Sequence, residues 1–496
     1  MENDEKPKVR RFDRIRTYYR LHRRRLIAAF VVISHIAGAW SSVDAVMQNR
    51  TPQGAIAWGI SLNLFPYAAV PAYWFFGHSD FDGYVMARDS SREKFGALQN
   101  EFKQTLERSD LMEKSTDKFE QTLQNLAQMD FTKGNRTTLL IDGEQTYASM
   151  LEAIDSAQKY ILFQFYIVRS DETGLKFKEH LIAKAKQGVR VYFLYDEIGS
   201  LSLDDSYVRD LVLGGVKVQG FSTKGEAGRK YQLNFRNHRK ILVVDGKTGF
   251  VGGLNIGDEY LGKDPKLSPW RDTHVRVDGP AAVAMQVPFS EDWYWATGEV
   301  LGDFEWTPVV PPDGDSAVLS LPTGPADPHD TCSLFFLSAI NHAQSRLWIA
   351  TPYFVPDQQI ISALQLAVLR GVDVRLIVPD LNDSQLVDFA SQPYLDEISK
   401  SGVRACRYQK GFLHQKVMLV DDEFSCVGSA NMDNRSFRLN FEVMLAVKDP
   451  EFASALEAML EQDLANSTEI KPGNFDKKPF WFRLAAKVSR LLAPIL

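Results

Sequence analysis

Asn237-His238-Arg239-Lys240-Ile241-Leu242-Val243-Val244-Asp245-Gly246 is answered, 176 positions later, by His414-Gln415-Lys416-Val417-Met418-Leu419-Val420-Asp421-Asp422. His238 aligns with His414, Lys240 with Lys416 and Asp245 with Asp421, and the same offset carries Gly252-Gly253-Leu254-Asn255 onto Gly428-Ser429-Ala430-Asn431. With 9 histidines in the chain, ordinary Lys and Asp frequencies predict only about 0.03 chance copies of H-x-K-x4-D. Two copies in register indicate a duplication. In an extended strand, residues i and i+2 share a face, so each His and its Lys point the same way. Imidazole serves as nucleophile or as acid and base near neutral pH, and a lysine ammonium can bind phosphoryl oxygens. One His on each side of a phosphorus centre is what in-line double displacement requires. Asp245 and Asp421, each at the start of a turn, are expected to support the motif loop.

Outward from the motifs the repeat continues. Ala153-Ile154-x-x-Ala157-Gln158 leads into Tyr160-Ile161-Leu162-Phe163-Gln164-Phe165-Tyr166, as Ala339-Ile340-x-x-Ala343-Gln344 leads into Leu347-Trp348-Ile349-Ala350-Thr351-Pro352-Tyr353. Gly188-Val189-Arg190-Val191 matches Gly371-Val372-Asp373-Val374. Both patterns read as a helix feeding a buried strand, and alternating elements of this kind make an α/β fold of two related halves. Residues 136–306 form the first half and 329–470 the second. The six prolines of 307–328 (Pro308, Pro311, Pro312, Pro322, Pro325, Pro328) predict a linker without helix or central strand.

The 496 residues carry a net charge of −6 with 45% hydrophobic content, which excludes disorder and argues against a nucleic-acid specialist. Three scattered cysteines, Cys332, Cys406 and Cys426, form neither a disulfide framework nor a zinc cluster; they fit reduced thiols in the cytosol. The first 25 residues are strongly basic, and two apolar runs follow, 26–46 and 55–76, each about long enough to span a bilayer. Ser34, His35, Ser41, Ser42 and Asp44 in the first and Pro66 and Pro71 in the second are costly there. The expected arrangement for 26–78 is a transmembrane or re-entrant hairpin. The preceding basic block keeps the N-terminus, and with two crossings the catalytic region, in the cytoplasm. Residues 79–135 suit a connecting helical segment. Asp80-x-Asp82-Gly83-x-x-x-Ala87-Arg88 approaches the metal signature of CDP-alcohol phosphotransferases, but with the wrong spacing and without the acidic pair that should follow.

The duplicated H-x-K-x4-D resembles the signature of the phospholipase D superfamily. Within it, the basic start, Thr51-Pro52-x-Gly54-Ala55-Ile56-Ala57-Trp58, Thr323-Gly324-Pro325 and Gly428-Ser429-Ala430-Asn431-Met432-Asp433-Asn434-Arg435-Ser436-Phe437 are similar to the bacterial cardiolipin synthase family. The resemblance covers nearly the whole chain. It implies two pseudo-symmetric phospholipase D-like half-domains, mixed sheets with flanking helices, packed around one active site behind the membrane hairpin. It implies an enzyme of the bacterial inner membrane that needs no metal or cofactor and whose partners are phosphatidylglycerol and cardiolipin, not nucleic acid. One His would attack phosphatidylglycerol to form a phosphatidyl-histidine, the other would protonate departing glycerol and deprotonate the acceptor, and Lys240, Lys416, Asn255 and Asn431 would bind the phosphoryl oxygens. Near-symmetry leaves the two histidine roles interchangeable; His238 is assigned as nucleophile and His414 as acid and base.

Each imidazole also needs a carboxylate on its other nitrogen. Glu442 and Asp272 occupy equivalent places after the two motifs, and the expected pairs are Glu442 with His414 and Asp272 with His238. His274 has no counterpart, since Met444 stands there, and is read as structural. A hydrolytic phospholipase D, or a phosphatidyltransferase with another donor or acceptor, is the alternative function; the apolar hairpin disfavours a nuclease. The tail 475–496 mixes aromatics, leucines and basic residues at helical spacing, suited either to the membrane interface or to packing on the domain.

Overall fold

The computed structural model describes residues 6–48, 52–77, 96, 100–221, 235–491 and 493. The Asp80–Arg88 fragment lies outside them. Two compact units divide the chain, one formed mainly by Met1–Asp80 and one by nearly all the rest.

In the first unit, a helix runs unbroken over Lys6–Gln48, and its segment His22–Met47 is the one stretch among the described residues long and apolar enough to cross a membrane. The second apolar run is not the uninterrupted span expected. It divides into Pro52–Leu64 and Pro66–Phe76 at Phe65, whose ψ of 54° is not helical. A residue before proline is driven from the helical region, and Pro66 has no N–H to continue the ladder. Pro71 is accommodated inside its helix. Three of the polar residues of the long helix that looked costly, Ser41, Ser42 and Asp44, have partners in this broken run. Tyr73 Oη donates to Asp44 at 2.7 Å, Trp74 Nε1 to Ser41 at 3.0 Å and Asn63 Nδ2 to Ser42 at 2.8 Å. Pairing these groups removes much of the cost of holding them in an apolar environment.

The second unit is built on one sixteen-stranded mixed sheet whose order reads almost the same from either edge. In the first half, Tyr160–Phe165 runs parallel to Arg190–Asp196 and antiparallel to Ile241–Val244. In the second half, Arg346–Ala350 runs parallel to Asp373–Pro379 and antiparallel to Val417–Val420. Tyr160–Phe165, Ile241–Val244 and Val417–Val420 are buried throughout, which accounts for their unbroken apolar sequences.

The halves join along a central seam where Thr132–Ile141 pairs with Ser316–Thr323, and Ser316–Thr323 in turn with Asn440–Lys448. Ser316–Thr323 falls inside the segment expected to be a linker. Its central position corrects that reading. Pro322 is tolerated because it lies opposite Val443 at the end of the strand beyond Val318, where Thr132–Ile141 no longer pairs with it and a missing N–H costs no ladder bond. All three cysteines are buried free thiols.

Candidate active site

His238 and Lys240 immediately precede the buried strand Ile241–Val244, and His414 and Lys416 precede Val417–Val420. Upstream of each motif a two-residue strand crosses into the other half. Arg236–Asn237 pairs in parallel with Asn440–Phe441, and Phe412–Leu413 with Trp270–Arg271. His238 N donates to Phe441 O at 2.9 Å, and His414 N to Arg271 O at 2.8 Å. In each receiving segment the next residue is a carboxylate.

The carboxylates therefore pair in the opposite sense to that expected. His238 Nδ1 lies 2.9 Å from Glu442 Oε2, and His414 Nδ1 lies 2.8 Å from Asp272 Oδ2. Glu442 also accepts from Ser429 Oγ at 2.6 Å, Ser436 Oγ at 2.9 Å and Asn440 Nδ2 at 3.2 Å. Asp272 accepts from Trp270 Nε1 at 3.2 Å and Thr273 N at 2.8 Å. Gly253, the counterpart of Ser429, is required for space, because a Cβ there would come 2.0 Å from Asp272 Oδ1. With both carboxylates ionised, each histidine carries its proton on Nδ1, and Nε2 is the nitrogen left for chemistry.

His238, His414, Asn255 and Asn431 line one cavity of about 460 Å³. Lys416 Nζ sits 3.0 Å from both ring nitrogens of His414 and donates to the His414 carbonyl at 2.6 Å. Lys240 Nζ donates to the His238 carbonyl at 2.7 Å and lies 5.3 Å from the Tyr166 ring centre. Asn255 bridges within the protein, accepting from Ile167 N at 3.0 Å and donating to Tyr260 Oη at 3.1 Å.

Burial dominates the titration of this cluster. It lowers His238 to about 4 against the pull of Glu442, and with Lys416 and Lys240 it takes His414 well below the ordinary imidazole value. Burial also takes Lys416 to about 8 and Lys240 well below the usual ammonium range. The lysines are thus less firmly cationic than an exposed lysine, contrary to expectation, because burial desolvates both and Lys416 repels Lys240. Burial raises the Asp272 carboxyl against Lys416, whereas His238 and Lys240 overcome burial at Glu442 and hold it below the usual value. An anionic phosphodiester in the cavity would favour the charged forms of the two lysines and of the imidazole that acts as acid, while the attacking imidazole must stay neutral.

Asp245 and Asp421 do not line the cavity. Each adopts a φ of 52° at the far end of its motif strand. The Asp245 carboxylate accepts from the backbone N–H of Gln158, Lys159 and Tyr160, each at 2.8 Å. Asp421 accepts from Gln344, Ser345 and Arg346 in the equivalent loop. His274 is also outside the cavity, fully buried, and lowered to about 3 chiefly by burial.

Sequence reasoning overlooked Tyr166 and Tyr353, although both follow the equivalent strands of the repeat, Tyr160–Phe165 and Arg346–Ala350. The Tyr166 ring lies edge-on to His238 with centroids 4.8 Å apart, and Tyr353 stands 6.5 Å from His414. Trp270, two residues before Asp272, lies 5.0 Å from His414. Arg236 and Arg435 line the same cavity.

The family model described as cardiolipin synthase, PLD-like domain, matches residues 150–293 and 336–464. The chain is 45% identical over 478 residues to cardiolipin synthase A of Pseudomonas fluorescens strain SBW25, covering 95% of this chain and 98% of the relative. It is 44% identical over 469 residues to cardiolipin synthase A of Pseudomonas putida strain W619, covering 93% and 97%. Phosphatidylserine synthase of Haemophilus influenzae Rd KW20 superposes with a TM-score of 0.57 at 17% identity, over 77% of this chain and 100% of that one; this likeness concerns the fold.

Proposed function

The chain belongs to the cardiolipin synthase family of phospholipase D-like enzymes, and on that premise we propose that it transfers a phosphatidyl group from one phosphatidylglycerol to another, giving cardiolipin and glycerol. The observation that carries this reading is a single cavity holding two imidazoles, each with Nδ1 on a buried carboxylate.

His238 Nε2 attacks the donor phosphorus. The bond from phosphorus to the glycerol oxygen breaks, and His414 gives its proton to the departing alkoxide. The acceptor hydroxyl then returns a proton to His414, its oxygen bonds to phosphorus, and the P–N bond to His238 breaks. The assignment rests on an asymmetry: Lys416 occupies the ring edge of His414, whereas Lys240 contacts the His238 carbonyl and the Tyr166 ring. Lys240, Lys416, Asn255 and Asn431 hold the phosphoryl oxygens, Glu442 orients His238, and Asp272 orients His414. Asp245 and Asp421 act by fixing the motif loops.

The enzyme works at a membrane. The basic start and the apolar segment His22–Met47 support insertion of the N-terminal region in the bacterial inner membrane, and a return of the chain through the second run, crossing or re-entrant, would leave the catalytic unit on the cytoplasmic side. The helix Phe480–Arg490 adds a second contact. It is tethered through Arg490 to Glu397 at 3.2 Å, while Phe480, Trp481, Leu484, Val488 and Leu491 are exposed. Basic and aromatic residues together suit an anionic lipid surface.

The deciding experiment supplies the purified enzyme in mixed micelles with labelled phosphatidylglycerol and EDTA, and without CDP-diacylglycerol. Cardiolipin with equimolar glycerol is the expected product, absent from His238→Ala and His414→Ala. Phosphatidic acid as the main product would make the protein a hydrolase.

A further inference from the structure

A phosphatidyl transfer between two phosphatidylglycerols brings two phosphodiesters into one site. The first, which reacts, is claimed by the histidines and lysines. The second belongs to the acceptor and lies only a glycerol's length from the hydroxyl that must reach phosphorus. Without charges of its own to hold it, the repulsion between two anions in a desolvated cavity would expel it.

Arg236 and Arg435 supply such charges. Both line the cavity that contains the two histidines. Arg236 lies two residues before His238, next to Asn440 of the other half, and Arg435 lies on the short helix Asn434–Arg438 that follows Asn431. The two guanidinium groups are close enough to repel each other, and burial together with that repulsion lowers Arg435. Tyr166 lines the same cavity, with its ring edge-on to His238.

Among the described residues, Asp196 and Asp433 face this pair, and both carry backbone bonds. Asp196 accepts from the N–H of Ile198, Gly199 and Asn237 at 2.8 to 2.9 Å, and Asp433 from Ser436 N at 2.7 Å. Burial raises both carboxyls.

The duplication sharpens the argument. At the offset that superposes the motifs, Arg236 corresponds to Phe412 and Arg435 to Glu259. Phe412 packs on Trp270 with centroids 4.9 Å apart, and Glu259 accepts from Arg169 Nε at 3.0 Å. The cationic pair therefore exists on one side of a pseudo-symmetric site, as distinct donor and acceptor positions require.

We propose that Arg236 and Arg435 form an anion subsite that holds the phosphodiester of the acceptor phospholipid while its headgroup hydroxyl attacks the phosphatidyl-enzyme. The subsite rests on the transferase reading above.

The test uses the full-length enzyme in mixed micelles with labelled phosphatidylglycerol, with and without ethanol as an uncharged competing acceptor. Arg236→Gln, Arg435→Gln and the two Lys variants are compared with wild type, and their folding is checked by thermal melting. The expected result is a ratio of cardiolipin to phosphatidylethanol lowered about tenfold by each Gln variant, the size of one lost charge-assisted contact. Half-saturating phosphatidylglycerol for cardiolipin formation should rise, with partial recovery in the Lys variants. An unchanged ratio overturns the subsite, whether both products persist or both fall in parallel; parallel loss would assign the arginines to the donor or to structure. A wild type that forms phosphatidic acid and phosphatidylethanol but no cardiolipin overturns the transferase reading and the subsite with it.

Discussion

Each motif histidine is paired with a carboxylate that belongs to the other half. Replacing Glu442 by Gln keeps its shape but removes the charge that selects the Nδ1 proton of His238. The expected loss in kcat is roughly 10²- to 10⁴-fold, with a smaller change in the half-saturating lipid concentration, measured on micelles of fixed composition. The nucleophile assignment is checked with a phosphatidyl ester of p-nitrophenol, whose leaving group needs no acid. His414→Ala should release a burst of nitrophenol and carry the phosphatidyl label on His238; a label found instead on His414 in His238→Ala would reverse the roles.

His274 makes a prediction of a different kind. Its ordinary value is 6.5 and burial holds it near 3 in the folded chain. Between those values the unfolded chain binds a proton that the folded chain refuses, so stability is lost as pH falls below 6.5 and the loss levels off near 3. His238 and His414, also lowered, act with the same sign. His274→Met copies Met444, which already packs against Gly428 as His274 packs against Gly252. It should reduce the loss of unfolding free energy between pH 7 and pH 5 by about 2 kcal/mol, read from denaturant titrations in detergent.

Among the elements, the two motif strands are anchored at their far ends by Asp245 and Asp421. A carboxylate that accepts three backbone N–H groups contributes about 3 kcal/mol, and alanine at a φ of 52° adds about 1 kcal/mol of strain. Asp421→Ala should therefore melt well below wild type, while the folded fraction turns over at close to the normal rate. A complete loss of turnover in folded protein would make Asp421 catalytic. The helix Phe480–Arg490 has its own test. In proteoliposomes containing brominated lipids, the fluorescence difference between wild type and Trp481→Phe should be strongly quenched if this face meets the bilayer. These elements also show where sequence pattern was sufficient. The buried strands Ile241–Val244 and Val417–Val420 were legible because four successive apolar residues next to a turn acid leave little alternative. Ser316–Thr323 was obscured by Pro322 and by the prolines on either side of the strand, since whether a proline breaks a strand depends on whether a neighbouring strand needs its N–H.

For the molecule as a whole, the sheet crosses the seam without a break, and each half supplies the carboxylate beside the other half's motif histidine. The catalytic unit should unfold in one calorimetric transition, raised as a unit by a bound phosphodiester; two separated transitions would show that the halves are independent. The duplication, the α/β class, the four bases and the identity of the two carboxylates were all written in the sequence, because each follows from residue type, spacing and periodicity. Which carboxylate serves which histidine was not. Glu442 is 204 residues from His238 and Asp272 is 142 from His414, and symmetry places the acids equally well for either pairing. Only the crossing of Arg236–Asn237 and Phe412–Leu413 into the opposite half decides it, because a backbone bond to Phe441 or Arg271 sets the next side chain beside the imidazole. The lowered lysines and the one-sided arginine pair likewise arise from burial and proximity, which exist only once the halves have closed on each other.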